Sequence, residues 1–435
     1  MSDANLLIEP LPAGWRNCQF ADACDRVKNS YKPVDGGSTP YVGLEHLAQG
    51  FPAFVGRGTE NDVKSSKTAF KVGDILFGKL RPYLRKGAQA DFNGISSTDI
   101  LVFRAEDGCE PEFLKYLVHV DEFISHAKST TTGVQHPRTS WPSLREFKLS
   151  LPPLPEQKKI AHILSTVQRA IEAQERIIQT TSELKKALMH KLFTEGLPRR
   201  SLGEGGPPVY EPQKQTEIGP VPESWEVVEL GTLFDKQPQN GLYKPKKDYG
   251  SGTQILRIDD FSNDGDVVTR ARNLVTLARS EIETYGLEPG DIVINRVNSL
   301  SHLGKTALIG EIDAEMVFES NMMRFSVDES NVRKEYVFKF LNSPLTKKQI
   351  IGTAKRAVAQ SSINQGDVKS MIVPKPSIEE QTEIVRALDA TEAKIAHASD
   401  KVAVLQGLFR TILHELMTAK TRVHELELRQ QSLPN

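Results

Sequence analysis

A long segment that opens with prolines, from Leu151 to Glu195, reads LPPLPEQKKIAHILSTVQRAIEAQERIIQTTSELKKALMHKLFTE. Its prolines and Glu-Gln pair are typical of a chain that arrives extended and then begins a helix, because proline is tolerated only in the first helical turn. No proline or glycine lies between Pro155 and Gly196. Apolar residues recur at steps of three and four, which predicts one long helix. The stripe is Ile160, Leu164, Val167, Ile171, Ile178, Leu188 and Leu192, interrupted by Gln174, Thr181 and Lys185.

The same pattern returns further along the chain. HKLFT begins at His190 and HELMT begins at His414, a shift of 414 − 190 = 224 residues. A repeat of this length is too long for a solenoid. It indicates a duplicated unit, a globular domain followed by a long helix. The second stripe is the more regular one: Ile384, Leu388, Thr391, Ile395, Ala398, Val402, Leu405, Phe409, Ile412 and Leu416.

Shared landmarks place two mixed α/β domains before the two helices. Trp15 corresponds to Trp225, and the Gly-Asp-Ile triplet at Gly73 corresponds to the triplet at Gly290. Each triplet predicts a turn that feeds a short buried strand. Between the landmarks the two halves differ almost completely. We expect a first domain over 1–150, a central helix over 151–197, a linker over 198–220, a second domain over 221–372, a distal helix over 373–425 and a tail over 426–435.

The composition is ordinary for a globular chain. It is 38% hydrophobic and 26% charged, and no run of eighteen apolar residues predicts a membrane helix. The start, MSDANLLIEPLPAGW, lacks the basic and apolar regions of a secretory signal. Cys18, Cys24 and Cys109 have no CxxC spacing, which favours reduced thiols over a zinc site. The chain is therefore expected to be cytoplasmic, with no membrane partner.

Motifs for catalysis are incomplete. Gly304-Lys-Thr is half of a Walker sequence, but Ser299 stands where the first glycine is required. The Glu146-Phe-Lys148 spacing of a nuclease has no convincing upstream aspartate. The sequence also lacks the tetrapeptide of adenine methyltransferases and a glycine-rich turn suited to S-adenosylmethionine. We therefore expect a non-catalytic chain that binds no cofactor or metal of its own.

Local charge points to nucleic acid although the net charge is only −1. Residues 57–86 contain eight basic and three acidic side chains, and residues 331–365 contain seven basic and one acidic. Arginine and lysine neutralise phosphates and donate to guanine, while asparagine and glutamine pair with adenine. A solvated loop explains either stretch alone, but one in each half favours DNA. The candidates are Lys79, Arg81, Arg85, Lys86, Gln135 and Arg138 in the first domain, and Arg296, Asn298, His302, Lys305, Lys355, Arg356 and Gln360 in the second.

With these residues in view, the chain resembles the specificity subunit of type I restriction-modification systems. The resemblance rests on Leu151-Pro-Pro-Leu-Pro-Glu-Gln157 with its helix, the degenerate copy Pro376-Ser-Ile-Glu-Glu-Gln381, and the paired Trp and Gly-Asp-Ile landmarks. It covers essentially the whole chain. It implies two target recognition domains, each reading half of a split double-stranded DNA site, and two helices paired as an antiparallel coiled coil. Lys375-Pro-Ser-Ile replaces Pro-Leu-Pro in the second copy, which leaves the start of that helix open.

The resemblance also implies partners. The helices bind two methylation subunits, restriction subunits join through these, and S-adenosylmethionine, ATP and Mg belong to the partners. Off-seam residues widen the first apolar stripe, as expected of a helix with more than one neighbour. The candidate partner-binding residues are Ile163, Ile177, Leu184, Leu188, Ile395, Val402, Leu405 and Ile412. Two alternatives stay open: a scaffold that binds only protein, and an enzyme fused to a recognition module.

Overall fold

The computed structural model describes residues 5–198, 209–262, 268–356 and 360–423. It forms two compact units, one from residues 1–175 with 399–435 and one from residues 176–398. Each unit holds a mixed α/β domain, the first part of one long helix and the last part of the other. The predicted fold class, two α/β domains that are each followed by a long helix, is confirmed.

The first domain is built from small sheets covered by helices. The strands are β1 (Arg16–Gln19), β2 (Cys24–Arg26), β3 (Ser30–Tyr31), β4 (Pro40–Val42), β5 (Gly58–Thr59), β6 (Lys67–Phe70), β7 (Ile75–Gly78), β8 (Gly87–Gln89), β9 (Gly94–Ser96), β10 (Ile100–Ala105) and β11 (Lys148–Leu151). The largest sheets have the strand orders β2-β10-β7-β8 and β3-β6-β9-β4-β5, and β1 pairs with β11. The helices are α1 (Pro111–Leu117), α2 (Asp121–Ser129), α3 (Trp141–Leu144) and α4 (Leu154–Thr194).

The second domain repeats this plan with different loops. The strands are β12 (Gln213–Thr216), β13 (Gly219–Pro222), β14 (Glu226–Glu229), β15 (Gln239–Asn240), β16 (Tyr249–Leu256), β17 (Asn273–Val275), β18 (Ile292–Asn295), β19 (Val297–Asn298), β20 (Thr306–Leu308), β21 (Met316–Phe318), β22 (Met322–Phe325), β23 (Lys355–Arg356), β24 (Ser361–Ser362) and β25 (Ile372–Lys375). The sheet with the strand order β15-β22-β18-β20 corresponds to the sheet β2-β10-β7-β8 of the first domain, and β14 pairs with β25 as β1 pairs with β11. The helices are α5 (Arg279–Tyr285), α6 (Lys334–Leu341), α7 (Pro344–Thr353), α8 (Gln365–Lys369) and α9 (Ile378–Met417).

Part of the segment predicted as a linker is ordered. Strands β12 and β13 form a hairpin, in which Gln213 is opposite Pro222 and Thr216 is opposite Gly219. Residues 199–208 of the predicted linker lie outside the described residues. The proline- and glycine-rich composition therefore marks a tight turn as well as a connection.

The Gly-Asp-Ile landmarks are turns that start a central strand. Gly73 has φ +91° and Gly290 has φ +94°, a conformation that favours glycine. The next residue closes the turn, since the Asp74 carboxylate accepts the N–H of Lys71 at 2.8 Å and pairs with Arg104 at 2.7 Å. The Asp291 carboxylate likewise accepts the N–H of Glu288 at 2.9 Å. The strands that follow, β7 and β18, are buried along their whole length, so the aspartates support the fold.

The long helices pack antiparallel within each unit. In the first unit, Ile160 and Leu164 near the start of α4 share a core with Leu413 and Leu416 near the end of α9. In the second unit, the end of α4 packs with the start of α9. Lys185 Nζ lies 3.0 Å from Glu392 Oε1 across that pair. This polar interruption of the apolar stripe is thus an interhelical ion pair.

The Glu of each Glu-Gln pair ties the long helix to a tryptophan. Glu156 Oε2 accepts a hydrogen bond from Trp15 Nε1 at 2.9 Å. Glu380, which is Glu156 shifted by 380 − 156 = 224, accepts one from Trp225 Nε1 at 2.9 Å. Two landmarks that are far apart in the sequence therefore form one contact in each unit, and the sequence did not predict this link.

The Gln of each pair organises the backbone where the long helix begins. Gln157 is fully buried; its Oε1 accepts the Glu110 N–H at 2.7 Å, and its Nε2 donates to the carbonyls of Pro152 and Gly108 at 2.8 and 2.9 Å. Gln381 accepts the Arg333 N–H at 2.8 Å and donates to Pro376 at 2.9 Å. The Gln157 amide thus joins α4 to the start of α1, and the Gln381 amide joins α9 to the start of α6.

Replacing Gln157 with alanine should therefore destabilise the first unit by about 2–4 kcal/mol, because three hydrogen bonds are lost and buried backbone groups are left unpaired. Urea denaturation followed by fluorescence would measure this. Gln179→Ala is the matched control on an exposed position of the same helix, where a change within about 0.5 kcal/mol is expected. Equal stabilities of the two variants would contradict the structural role of Gln157.

Candidate nucleic-acid interface

The first domain brings two predicted DNA-facing segments together. The loop after β7 and the polar loop before α3 are joined by their backbones: Arg81 N–H donates to the Pro137 carbonyl at 2.8 Å, and Thr139 N–H donates to the Lys79 carbonyl at 3.0 Å. Lys79 and Arg138 therefore share one surface, although they lie 138 − 79 = 59 residues apart in the sequence. Sequence position alone had placed them in separate groups.

Two candidates on this surface have exposed side chains that are available to a ligand. Arg81 is exposed, with φ +50°, and within the described part of the chain its side chain has no hydrogen bond or ion pair. Gln135 is also exposed and is equally without a side-chain partner among the described residues. Tyr83, two residues after Arg81, is 48% exposed. Positive φ at a non-glycine residue is strained, and such strain concentrates at ligand sites.

Three other candidates of the first domain have partners inside it. Arg85 pairs with Asp121 and donates to the His119 carbonyl at 3.2 Å. Lys86 Nζ donates to the Leu44 carbonyl at 2.7 Å. Arg138 makes two bonds to Asp99, at 2.8 and 3.2 Å, which lower the pKa of that carboxyl group. These side chains shape the surface, and Arg138 has part of its charge neutralised.

The second domain builds its surface in the same way. Strand β19 pairs with β24, which pairs with β23, so that Asn298 and Lys355 belong to one small sheet. The Ile363 N–H donates to the Arg296 carbonyl at 3.0 Å. Arg296 corresponds to Lys79 at the offset of the Gly-Asp-Ile landmarks, since 296 − 79 = 217 and 290 − 73 = 217. Ile363 corresponds to Thr139 at the offset of the long helices, since 363 − 139 = 224. This bond is therefore the counterpart of the one between Thr139 and Lys79. The duplication thus extends to the candidate interface.

The side chains of this second surface also divide into available and occupied ones. Lys355 and Gln360 are exposed. Arg296 is half-buried and donates through Nη1 to the Ser320 carbonyl at 3.0 Å. His302 Nδ1 lies 3.0 Å from Ser299 Oγ. The side chain of Arg356 lies outside the described residues, although its backbone forms β23.

Lys305 serves the interior of the second domain. Its Nζ donates to the carbonyls of Ile258 and Phe261, the latter at 2.8 Å, and lies 4.5 Å from the centre of the Phe261 ring. Burial lowers the pKa of the ammonium group. A charge held by two carbonyls and a ring is poorly placed to reach DNA, so the geometry favours a structural role for this candidate.

Most of the predicted partner-binding residues are partly buried, and two of them are exposed. Ile163, Leu188, Val402, Leu405 and Ile412 are partly buried against the cores of their own units, and Ile395 is half-buried. Leu184 and Ile177 are exposed, at 58% and 38%. Sequence reasoning missed Leu408, which is 45% exposed and is the counterpart of Leu184, since 184 + 224 = 408.

The described residues lack two other features, a membrane-spanning helix and a metal-binding cluster. None of their helices is long and apolar enough to cross a membrane. They also contain no group of three histidine, cysteine, aspartate or glutamate side chains arranged to hold a metal ion.

Comparison with known proteins agrees with the duplicated domain. Residues 19–181 and 222–405 each match the family model described as the type I restriction modification DNA specificity domain. The chain belongs to this family. The MjaVIII specificity subunit of Methanocaldococcus jannaschii is 27% identical to this specificity-family chain over 441 residues, spanning 96% of this chain and 95% of that protein. The EcoBI specificity subunit of Escherichia coli is 24% identical over 321 residues, spanning 70% and 66%.

Solved structures support the fold of this specificity-family chain. One, described for complex assembly and conformational transition of the type I R-M system, has a TM-score of 0.56 at 20% identity and covers 94% of this chain and 98% of that one. The type I S subunit from M. genitalium has a TM-score of 0.54 at 15% identity, with 96% and 99% covered. At these identities the likeness concerns the fold alone.

Proposed function

We propose that this chain is the DNA-recognition subunit of a type I restriction-modification complex in the cytoplasm. Each domain reads one half of a bipartite double-stranded site. The helices set the gap between the halves and dock two methylation subunits, through which restriction subunits join. Adenine methylation and ATP-driven cleavage, with S-adenosylmethionine, ATP and Mg, belong to these partners. The observation that carries the proposal is the same backbone junction in both domains, at Lys79–Thr139 and Arg296–Ile363, each presenting exposed polar side chains.

The two surfaces carry different side chains on this shared plan. The first presents Arg81 and Gln135, and the second presents Lys355 and Gln360. Base edges in the major groove are distinguished by the donors and acceptors that meet them. Two surfaces with different donors should therefore read different half-sites, and the target should be non-palindromic.

The test is to purify the chain with a cognate methylation subunit and to map methylated adenines in a host genome. A bipartite, asymmetric motif with a fixed gap would support DNA recognition. Methylation without any motif would favour the protein scaffold, an alternative consistent with the exposed Leu184 and Leu408.

Arg81→Ala is expected to weaken binding by about 1–3 kcal/mol and to relax one position of one half-site, if the free guanidinium makes a two-bond guanine contact. If it contacts only phosphate, binding should fall evenly over all sequences and the salt slope should drop by about one. Arg145→Ala is a matched control, since Arg145 is exposed in the same domain, outside the two loops. Unchanged binding and an unchanged motif would remove Arg81 from the interface.

A further inference from the structure

The segment Gly241–Lys247, which reads GLYKPKK, is a surface loop with a fixed base. Leu242 is buried; its N–H donates to the Phe318 carbonyl at 2.9 Å, and its carbonyl accepts the Ser320 N–H at 2.9 Å. At Gly241 the backbone passes so close that an added Cβ would lie 2.3 Å from the Glu319 carbonyl oxygen. A larger residue there would displace the loop, so glycine is required by close approach.

The far side of the loop is fixed as well. Lys244 Nζ lies 2.8 Å from Glu281 Oε1 on α5. Asp248 N–H donates to the Pro245 carbonyl at 3.0 Å, and its own carbonyl accepts the Thr276 N–H at 2.8 Å. The loop is therefore held from both ends, and less conformational freedom is lost when it meets a ligand.

The side chains that project from this held loop are an aromatic ring and two ammonium groups. Tyr243 is 78% exposed. Lys246 and Lys247 are exposed, and among the described residues neither has a hydrogen bond or an ion pair. In the first domain the same Tyr-Lys-Pro triplet occurs at Tyr31, but there the hydroxyl donates to Glu60 at 2.9 Å. Of the two Tyr-Lys-Pro triplets, the one in the second domain therefore carries the exposed tyrosine.

The loop adjoins the candidate interface. Ser320 joins the two, because its N–H donates to the Leu242 carbonyl at 2.9 Å and its carbonyl accepts from Arg296 Nη1 at 3.0 Å. The backbone N–H of Arg296 also donates to the carbonyl of Asn321, the residue after Ser320, at 2.8 Å. Leu242 and the guanidinium of Arg296 therefore contact the backbone N–H and the backbone carbonyl of Ser320, respectively.

We propose that Gly241–Lys247 is a DNA-contacting element of the second domain, in which Lys246 and Lys247 contact phosphates and Tyr243 determines part of the half-site. The inference rests on the proposed function and extends it to a segment outside the two basic stretches. Paired lysines neutralise phosphates and release counterions. Phosphate contacts fix the register in which a neighbouring side chain meets the bases, and the tyrosine ring offers an apolar face to a thymine methyl group.

The experiment uses the full chain in complex with its methylation subunit and a duplex carrying the motif mapped for the parent complex. In Lys246→Gln/Lys247→Gln, the slope of log K against log salt should fall by about 1.8, at about 0.9 per phosphate contact, with the motif unchanged. Tyr243→Ala should lower affinity about tenfold, the scale of one lost base-pair match, and relax the second half-site only. Tyr243→Phe should retain the preference, since the ring is kept.

Lys28→Gln/Lys148→Gln is the matched control, because it removes the same charge from exposed positions of the first domain that lie outside the loops of the candidate interface, and its salt slope should equal that of the parent. A parent-like slope in the Lys246/Lys247 variant, or Tyr243→Ala with full affinity and an unchanged motif, would overturn the proposal. So would weaker assembly with the methylation subunit on gel filtration at an unchanged slope, because the loop would then face protein. A parent complex without any motif overturns the proposed function itself, which separates the two failures.

Discussion

Leu184→Asp combined with Leu408→Asp is expected to abolish assembly with the methylation subunits and therefore all methylation, while each recognition domain stays folded. These counterparts on α4 and α9 are exposed, at 58% and 45%. Covering one such side chain contributes about 1.5–3 kcal/mol, and burying an unpaired carboxylate in its place costs several more. Since about 1.4 kcal/mol is a factor of ten, the loss at each site should exceed a hundredfold.

Gel filtration of the chain with the methylation subunit would measure this assembly, and circular dichroism would report folding. The matched control is Gln179→Asp with Ala403→Asp, another pair of equivalent exposed positions, since 403 − 179 = 224. Five residues before each leucine, these positions point about 140° away around the helix. Single variants should lose one of two methylation subunits. Undiminished complex formation by the double variant would show that the leucines are not the docking positions.

Removing one heptad from each long helix is expected to shorten the gap between the half-sites by about three base pairs. The matching deletions are Arg176–Ser182 and Asp400–Gln406, since 176 + 224 = 400 and 182 + 224 = 406. A heptad preserves the apolar seam, so the helices should still pair. Seven residues rise about 10 Å, and base pairs are spaced by about 3.4 Å. The half-sites themselves should be unchanged, because the domains that read them are intact.

Methylation mapping would show the new gap directly. A deletion of five residues from each helix, Arg176–Thr180 with Asp400–Val404, serves as the control, because it turns the seam by about 140° and should prevent pairing. An unaltered gap with full activity after the heptad deletion would mean that the methylation subunits, and not the helices, position the domains on the duplex.

The architecture of this protein is predictable from the order of its residues. The stripe from Ile160 to Leu192, the absence of helix breakers and the shift of 224 residues predicted two long helices and a duplicated domain, all of which the structure contains. These features are local or periodic, and a helix leaves its period directly in the residue order. The Gly-Asp-Ile turns were predictable for the same reason, since a positive φ at Gly73 or Gly290 selects glycine within a few residues.

Which charged and apolar side chains remain available for binding depends on tertiary contacts. Lys305 and Arg81 look alike in the sequence, yet Lys305 is held by the carbonyls of Ile258 and Phe261, while Arg81 is exposed. Leu184 and Leu188 lie one helical turn apart on α4, but Leu188 packs against a core and Leu184 does not. The partner of a side chain is set by segments that are distant in sequence, and a buried charge or leucine differs from an exposed one only through those neighbours. For that reason, periodicity determined the framework of this protein, and long-range packing selected its binding surfaces.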